Sequence, residues 1–168
     1  MVPQQKIKNI LVACGKTLST AESCTGGQVA SALTSVPGAS EYFQGGIVAY
    51  QNSVKTKELG VRPEDISAYD VVSRQVVEQM VRGACARFGT HYALATTGYA
   101  DKGNERVADG TIWIGWGSAD DVHSHCLHLG GTREDNTAMA RDAVLEHFLD
   151  FLGGAVLSNA VLNRSKIW

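Results

Sequence analysis

Ser23, Cys24 and Thr25 stand directly ahead of Gly26-Gly27, so three nucleophile-capable side chains precede a glycine pair. Hydroxyl residues and glycines mark the point where a chain turns into a helix. The free N–H groups of a helix start stabilise an oxyanion or a phosphate. Serine is also a preferred helix cap, so Ser23 reads either as a cap or as a nucleophile. Cys24 offers a thiol instead, but a thiol enzyme needs a histidine base and none is near it in sequence. Tyr50 and Lys55 supply a second pair of interest. A lysine held neutral by partial burial takes a proton from a serine, and a tyrosine hydroxyl orients or relays that proton. Lys55 reads equally as a surface lysine on a short helix, as Lys57 does, and spacing alone leaves both readings open. His123 and His125 fall on one face of a strand and His128 on the other. They read as a solvated strand face, because no further ligand of recognisable spacing accompanies them, and no metal site is expected.

Four glycine pairs occur, Gly26-Gly27, Gly45-Gly46, Gly130-Gly131 and Gly153-Gly154. Each reads as a tight turn or as a place where backbone approaches a ligand, and only the first has chemical company.

The elements that must position these groups follow from periodicity. Ile7, Ile10, Leu11 and Cys14 give a first helix over 4–14 that stops at Gly15. A short run, Thr17 to Ala21, leads through the Ser23 segment into a second helix to about Leu33. Gly45 to Tyr50 reads as a buried strand and Ser53 to Leu59 as a short helix, with a loop through Pro63 after it. Ser73 caps a helix whose Val76, Val77, Met80, Val81, Ala84, Cys85 and Phe88 form one apolar face up to Gly89. His91 to Thr97, Thr111 to Trp116 and Val122 to Leu129 read as strands, the last two joined by the turn at Gly117 to Asp120. A final helix from near Thr132 carries Ala140, Val144, Leu145, Phe148, Leu149 and Leu152 inward, and Gly153-Gly154 is expected to end it. Helices and strands alternate and a hairpin closes the second half. The fold class expected is therefore α/β, a three-layer α/β/α sandwich with a mixed β-sheet.

The chain of 168 residues suits a single domain over 1–168, and 44% hydrophobic residues suffice for a core. Residues 155–168, ending Lys166-Ile167-Trp168, read as a docking tail or as a frayed end. With 15 basic against 17 acidic residues there is no basic stripe, which argues against nucleic acid as partner. No apolar run reaches membrane-spanning length and no apolar leader opens the chain, so a soluble, cytoplasmic protein with no membrane partner is expected. Cys14, Cys24, Cys85 and Cys126 show no CxxC spacing and read as reduced thiols.

Several segments together resemble the CinA C-terminal domain family, which holds competence/damage-inducible proteins and nicotinamide-nucleotide amidohydrolases. They are Ala21-Glu22-Ser23-Cys24-Thr25-Gly26-Gly27, Gly45 through Tyr50-Gln51-Asn52-Ser53-Val54-Lys55, and Leu59-Gly60-Val61. The likeness continues through Val72-Ser73, the helix end at Arg82 to Phe88, Tyr92 to Gly98, and Gly130-Gly131-Thr132-Arg133, and so covers nearly the whole chain. The resemblance implies deamidation of nicotinamide mononucleotide to nicotinate mononucleotide and ammonia, with no cofactor and no metal. By motif position Ser23 is the nucleophile, Lys55 its base and the later proton donor, and Tyr50 the orienting hydroxyl. Thr25, Gly26, Gly27, Gly46, Thr97, Gly98 and Arg133 are implied as substrate-binding, the first three through N–H groups facing an oxyanion. A homo-oligomer acting on a small pyridine nucleotide is expected.

Two departures from the family pattern stand out. After Thr97-Gly98 the family has a T-G-x-A-G-P-G-G loop, whereas here Tyr99 to Arg106 lacks proline and brings in Asp101, Lys102, Glu105 and Arg106. The family also places a second arginine four residues after the first, where this chain has Thr137. The alternatives are a non-catalytic nucleotide-sensing or protein-interaction module of the same fold, and an amidase for another small amide. Ser23, Tyr50, Lys55 and Arg133 together favour the enzyme, and the altered loop favours the module.

Overall fold

The computed structural model describes the chain through Arg164, with side chains described through Ala155. Five strands form one mixed sheet in the order β2-β1-β3-β4-β5: β1 Leu18–Glu22, β2 Phe43–Val48, β3 Tyr92–Gly98, β4 Thr111–Gly117 and β5 Val122–His128. β1 runs parallel to both neighbours, pairing Thr20 with Gly46 on one side and with Leu94 on the other, while β3, β4 and β5 pair antiparallel. A Cβ at Gly46 would fall 2.0 Å from Thr20 Oγ1, so β2 seats against β1 only with glycine there.

Helices cover both faces. Helix α1 (Pro3–Cys14), α2 (Gln28–Thr34) and α6 (Arg133–Arg164) pack on one side, where Ile7, Leu11, Leu33, Val144 and Phe148 are wholly buried against Leu94, Ile112 and Ile114. On the other side α5 (Arg74–Phe88) buries Val76, Val77, Met80, Val81 and Ala84 against Ala21, Ala93 and Ala95, with α3 (Asn52–Leu59) beside it. The expected three-layer sandwich is the one observed. Ser73 caps α5 by accepting from Val76 N–H, and Gly89 closes it in the left-handed conformation. Among the described residues no helix is long and apolar enough to cross a membrane.

The structure corrects three expectations. The segment after Pro63 is a helix, α4 (Pro63–Tyr69), with proline in its first turn and Glu64 and Asp65 at its positive end. β2 is an edge strand of alternating exposure rather than a buried one, and it ends before Tyr50. Gly153-Gly154 lies inside α6, where about 1 kcal/mol per glycine is less than the packing of Phe148 and Leu152 on that helix. The docking role expected for 155–168 falls on residues whose side chains lie, from 156 onward, outside the described ones.

Candidate active site

β1, β2 and β3 all end on the same edge of the sheet, and the chain leaves β1 there through Ser23. The turn that follows needs positive φ at Gly26 (58°) and Gly27 (102°), which glycine adopts without strain. Glu22, 1% exposed, holds the turn in place. Its carboxylate accepts from Thr25 Oγ1 (2.6 Å), Val29 N–H (2.9 Å) and Ala30 N–H (3.0 Å), so a buried charge is satisfied at the start of α2. Thr25 spends its hydroxyl proton on Glu22, so in the 2.8 Å contact between Thr25 Oγ1 and Thr96 Oγ1 it is Thr96 that donates. Thr96 in turn accepts from Ser23 N–H through both Oγ1 (3.3 Å) and its backbone oxygen (3.1 Å). Ser23 is thereby fixed to β3 as well as to β1.

Lys55 reaches Ser23 from α3. Its Nζ donates to Ser23 Oγ at 2.9 Å and to the backbone oxygen of Tyr50 at 3.0 Å. Lys55 is 2% exposed and Ser23 7%, so the pair is withdrawn from water. Burial lowers the lysine from 10.5 to about 8, which brings the neutral amine within reach of ordinary pH. Cys24 moves the other way. Burial pushes its thiol up to about 12, so it holds its proton and is a poor nucleophile despite its place in the turn.

A cavity of about 300 Å³ opens beside this pair. Ser23, Tyr50, Lys55, Thr97, Gly98 and Arg133 all line it, together with Asn52, Tyr99 and Asp101. Arg133, in the first turn of α6, donates through Nη2 to the Tyr50 hydroxyl and through Nη1 to Asp101 Oδ1 at 3.1 Å. The Tyr50 side chain therefore faces Arg133, and it is the Tyr50 carbonyl that touches Lys55. Thr97 Oγ1 donates to the Val71 carbonyl.

The remaining expected site residues stand elsewhere. Gly26 and Gly27 border a second cavity between α1, α2 and α6, and the Gly26 N–H is spent on the Ser23 carbonyl at 3.1 Å. Gly46 sits in β2 against Thr20. Thr25 is buried behind the turn. At the position of the missing second arginine, Thr137 Oγ1 accepts from Gln28 Nε2. His123 and His125 lie on the α6 side of the sheet, where His123 pairs with Asp121 and stacks on Trp116, and His125 meets His147. Among the described residues no three His, Cys, Asp or Glu side chains converge to hold a metal ion.

Three residues of the site escaped the sequence reading. Glu22 carried one signal, a carboxylate inside an otherwise uncharged run. Thr96 carried none. Asn136, 1% exposed, joins the charged loop to α6 by donating to the Ala100 and Gly131 carbonyls, and nothing in its neighbourhood announced it.

Comparison with known proteins agrees with this architecture. The model of the CinA C-terminal domain matches residues 2–152. The nicotinamide-nucleotide amidohydrolase PncC of Pseudomonas putida is 43% identical over 130 residues, covering 76% of this chain and 79% of that protein. A CinA-like protein of Flavobacterium psychrophilum is 42% identical over 132 residues, 77% of this chain but 32% of that one. The chain thus spans about a third of the length of such larger relatives. The crystal structure of competence damage-inducible protein A from Klebsiella pneumoniae superposes with a TM-score of 0.86 at 29% identity, covering 90% of this chain and 95% of that one. The competence/damage inducible protein CihA of Agrobacterium tumefaciens gives 0.82 at 32% identity, with coverage of 90% and 95%. From Pro3 in α1 to Leu152 in α6, the elements that build the Ser23 cavity lie inside the matched span, and the chain belongs to the CinA C-terminal domain family.

Proposed function

We propose that the protein is a serine amidohydrolase acting on the carboxamide of a nicotinamide nucleotide, with nicotinamide mononucleotide as the first substrate to test and nicotinate mononucleotide and ammonia as products. The observation that carries this reading is the buried 2.9 Å contact between Lys55 Nζ and Ser23 Oγ on the wall of a cavity of about 300 Å³. The name of the P. putida relative supports the substrate class.

In the mechanism this supports, Ser23 Oγ attacks the amide carbon while its proton passes to neutral Lys55. The carbonyl oxygen becomes an oxyanion. Of the turn residues after Ser23 it is Cys24 that lines the cavity, and its N–H, without a backbone partner among the described residues, is the donor assigned to the oxyanion. Collapse breaks the C–N bond, and Lys55 returns its proton to the leaving nitrogen, so that ammonia departs and an acyl ester remains on Ser23. Water then attacks the ester with Lys55 again as base, releasing the acid and restoring the serine. The Tyr50 carbonyl keeps the amine aimed at Ser23 throughout. No metal or organic cofactor enters any step.

The 2.9 Å Lys55–Ser23 contact, with the lysine lowered by burial, favours the enzyme over a nucleotide sensor without catalysis. A cytoplasmic location and homo-oligomeric assembly accompany this reading and are checked by fractionation and sedimentation. The direct test is to incubate the protein with nicotinamide mononucleotide and a panel of small amides while assaying ammonia. Release that vanishes in Ser23→Ala supports the reading, and no release from any of them refutes it.

A further inference from the structure

Two cationic side chains line the cavity, and Lys55 is committed to Ser23 and the Tyr50 carbonyl. Arg133 is thus the group to which an anionic end of a substrate would be drawn. It is already taken, because Asp101 Oδ1 sits 3.1 Å from its Nη1.

Asp101 is not loosely placed. The same Oδ1 accepts from Lys102 N–H (2.8 Å), and the Asp101 backbone oxygen accepts from Gly110 N–H (3.2 Å). Its neighbour Ala100 is buried, with its carbonyl held by Asn136. The rest of the loop is tied to α4 and its end: Tyr99 and Asn104 donate to the Asp70 carboxylate, and Arg106 donates to the Ser67 and Ala68 carbonyls. Lys102 N–H first, and Arg133 after it, hold the Asp101 carboxyl below its usual range, so it is ionised at any working pH.

We infer that Asp101 is a specificity-determining residue that stands where a substrate phosphate would meet Arg133, so that the cavity prefers amides ending in an uncharged, hydroxyl-bearing sugar over the same amides bearing a phosphate. A phosphate brought to Arg133 must displace Asp101 or lie beside a like charge, and either outcome weakens its binding. A sugar hydroxyl meets no such repulsion and can donate to the Asp101 carboxylate. The inference rests on the serine amidohydrolase reading and shifts its preferred substrate from the nicotinamide nucleotide to the nucleoside, while its charge argument stands on the Asp101–Arg133 pair alone.

The test compares the full chain with Asp101→Asn, which keeps an acceptor for Lys102 N–H. Ammonia release is measured on nicotinamide riboside and nicotinamide mononucleotide, which differ by the phosphate. In parallel, calorimetry reads the affinity of each protein for ribose 5-phosphate. The wild type is expected to favour the riboside. Asp101→Asn should raise the mononucleotide-to-riboside ratio of kcat/KM about tenfold or more, mainly through KM, and tighten ribose 5-phosphate by a similar factor that shrinks with added salt. Adding Arg133→Gln should abolish the gain. A wild-type preference for the mononucleotide, or an unchanged affinity for ribose 5-phosphate in Asp101→Asn, overturns the inference. If wild type hydrolyses neither amide, it is the amidohydrolase reading that fails, and the ribose 5-phosphate affinities alone decide the role of Asp101.

Discussion

The lysine is the most exacting place to test the chemistry. With Lys55 lowered from 10.5 to about 8, about a tenth of the amine is neutral at pH 7, against roughly 0.03% at the unshifted value, a gain in available base of about 300-fold. The profile of kcat/KM should therefore climb about fiftyfold between pH 6 and pH 8 and level off above, since only the neutral amine accepts the serine proton. The same shift has a thermodynamic face. Between about 8 and 10.5 the unfolded chain holds a proton that the folded chain has lost, so stability rises with pH across that window. Below it the buried ammonium costs the fold about 3 kcal/mol, an order-of-magnitude figure obtained from about 1.4 kcal/mol per pH unit. Lys55→Met, similar in volume and uncharged, should thus be inactive yet melt higher than wild type at pH 7, with the difference fading towards pH 10. Lys55→Arg should be as inactive as Lys55→Met because guanidinium keeps its proton. Stopped-time ammonia assays from pH 6 to 9, with thermal melts on the same samples, supply both readings. A flat profile, or near-wild-type turnover in Lys55→Arg, would refute the assignment of Lys55 as base.

Ser23→Ala should lower turnover by orders of magnitude with melting temperature little changed, whereas Cys24→Ala should retain most activity; the reverse outcome in ammonia assays would make the thiol the nucleophile. Glu22→Ala strands Val29 N–H and Ala30 N–H at the start of α2 and should cost about 2–4 kcal/mol in denaturant unfolding, far more than an exposed cap. Treatment with EDTA should leave the rate unchanged, and a loss restored by zinc would contradict the metal-free mechanism. Exchanging the segment from Tyr99 to Arg106 for a glycine- and proline-rich loop should alter relative rates among nucleotide amides, and unchanged selectivity would show that this loop does not set substrate choice.

The legible parts of the fold were those governed by local rules. α5 announced itself through a capping serine, an apolar face and a terminal glycine, all of which act within one helix. α4 was missed because Pro63 reads as a loop signal unless its place in a first turn is known, and because none of its side chains is fully buried. Gly153-Gly154 misled because a helix tolerates glycine when the turn before it packs as Phe148 and Leu152 do. At the site, Ser23 and Lys55 were visible as types 32 positions apart, yet whether Lys55 was buried depended on how α3 meets the end of β1. The Arg133 contacts with Tyr50 and Asp101 span 83 and 32 positions, and no periodicity encodes a pairing across such separations.

Because Ser23 N–H is held by Thr96, the turn that carries Ser23 is completed by a residue 73 positions further along the chain. A chain emerging from the ribosome carries its serine long before the strand that seats it. β1 cannot take its interior place until β3 arrives, and parallel pairing across so long a separation is slow to form. On the proposed mechanism, reactivity therefore waits on that pairing. If Ser23 is the nucleophile proposed above, nascent or partly unfolded chains hold a serine that is chemically ordinary, and covalent capture by an acylating probe would count correctly folded molecules rather than total protein.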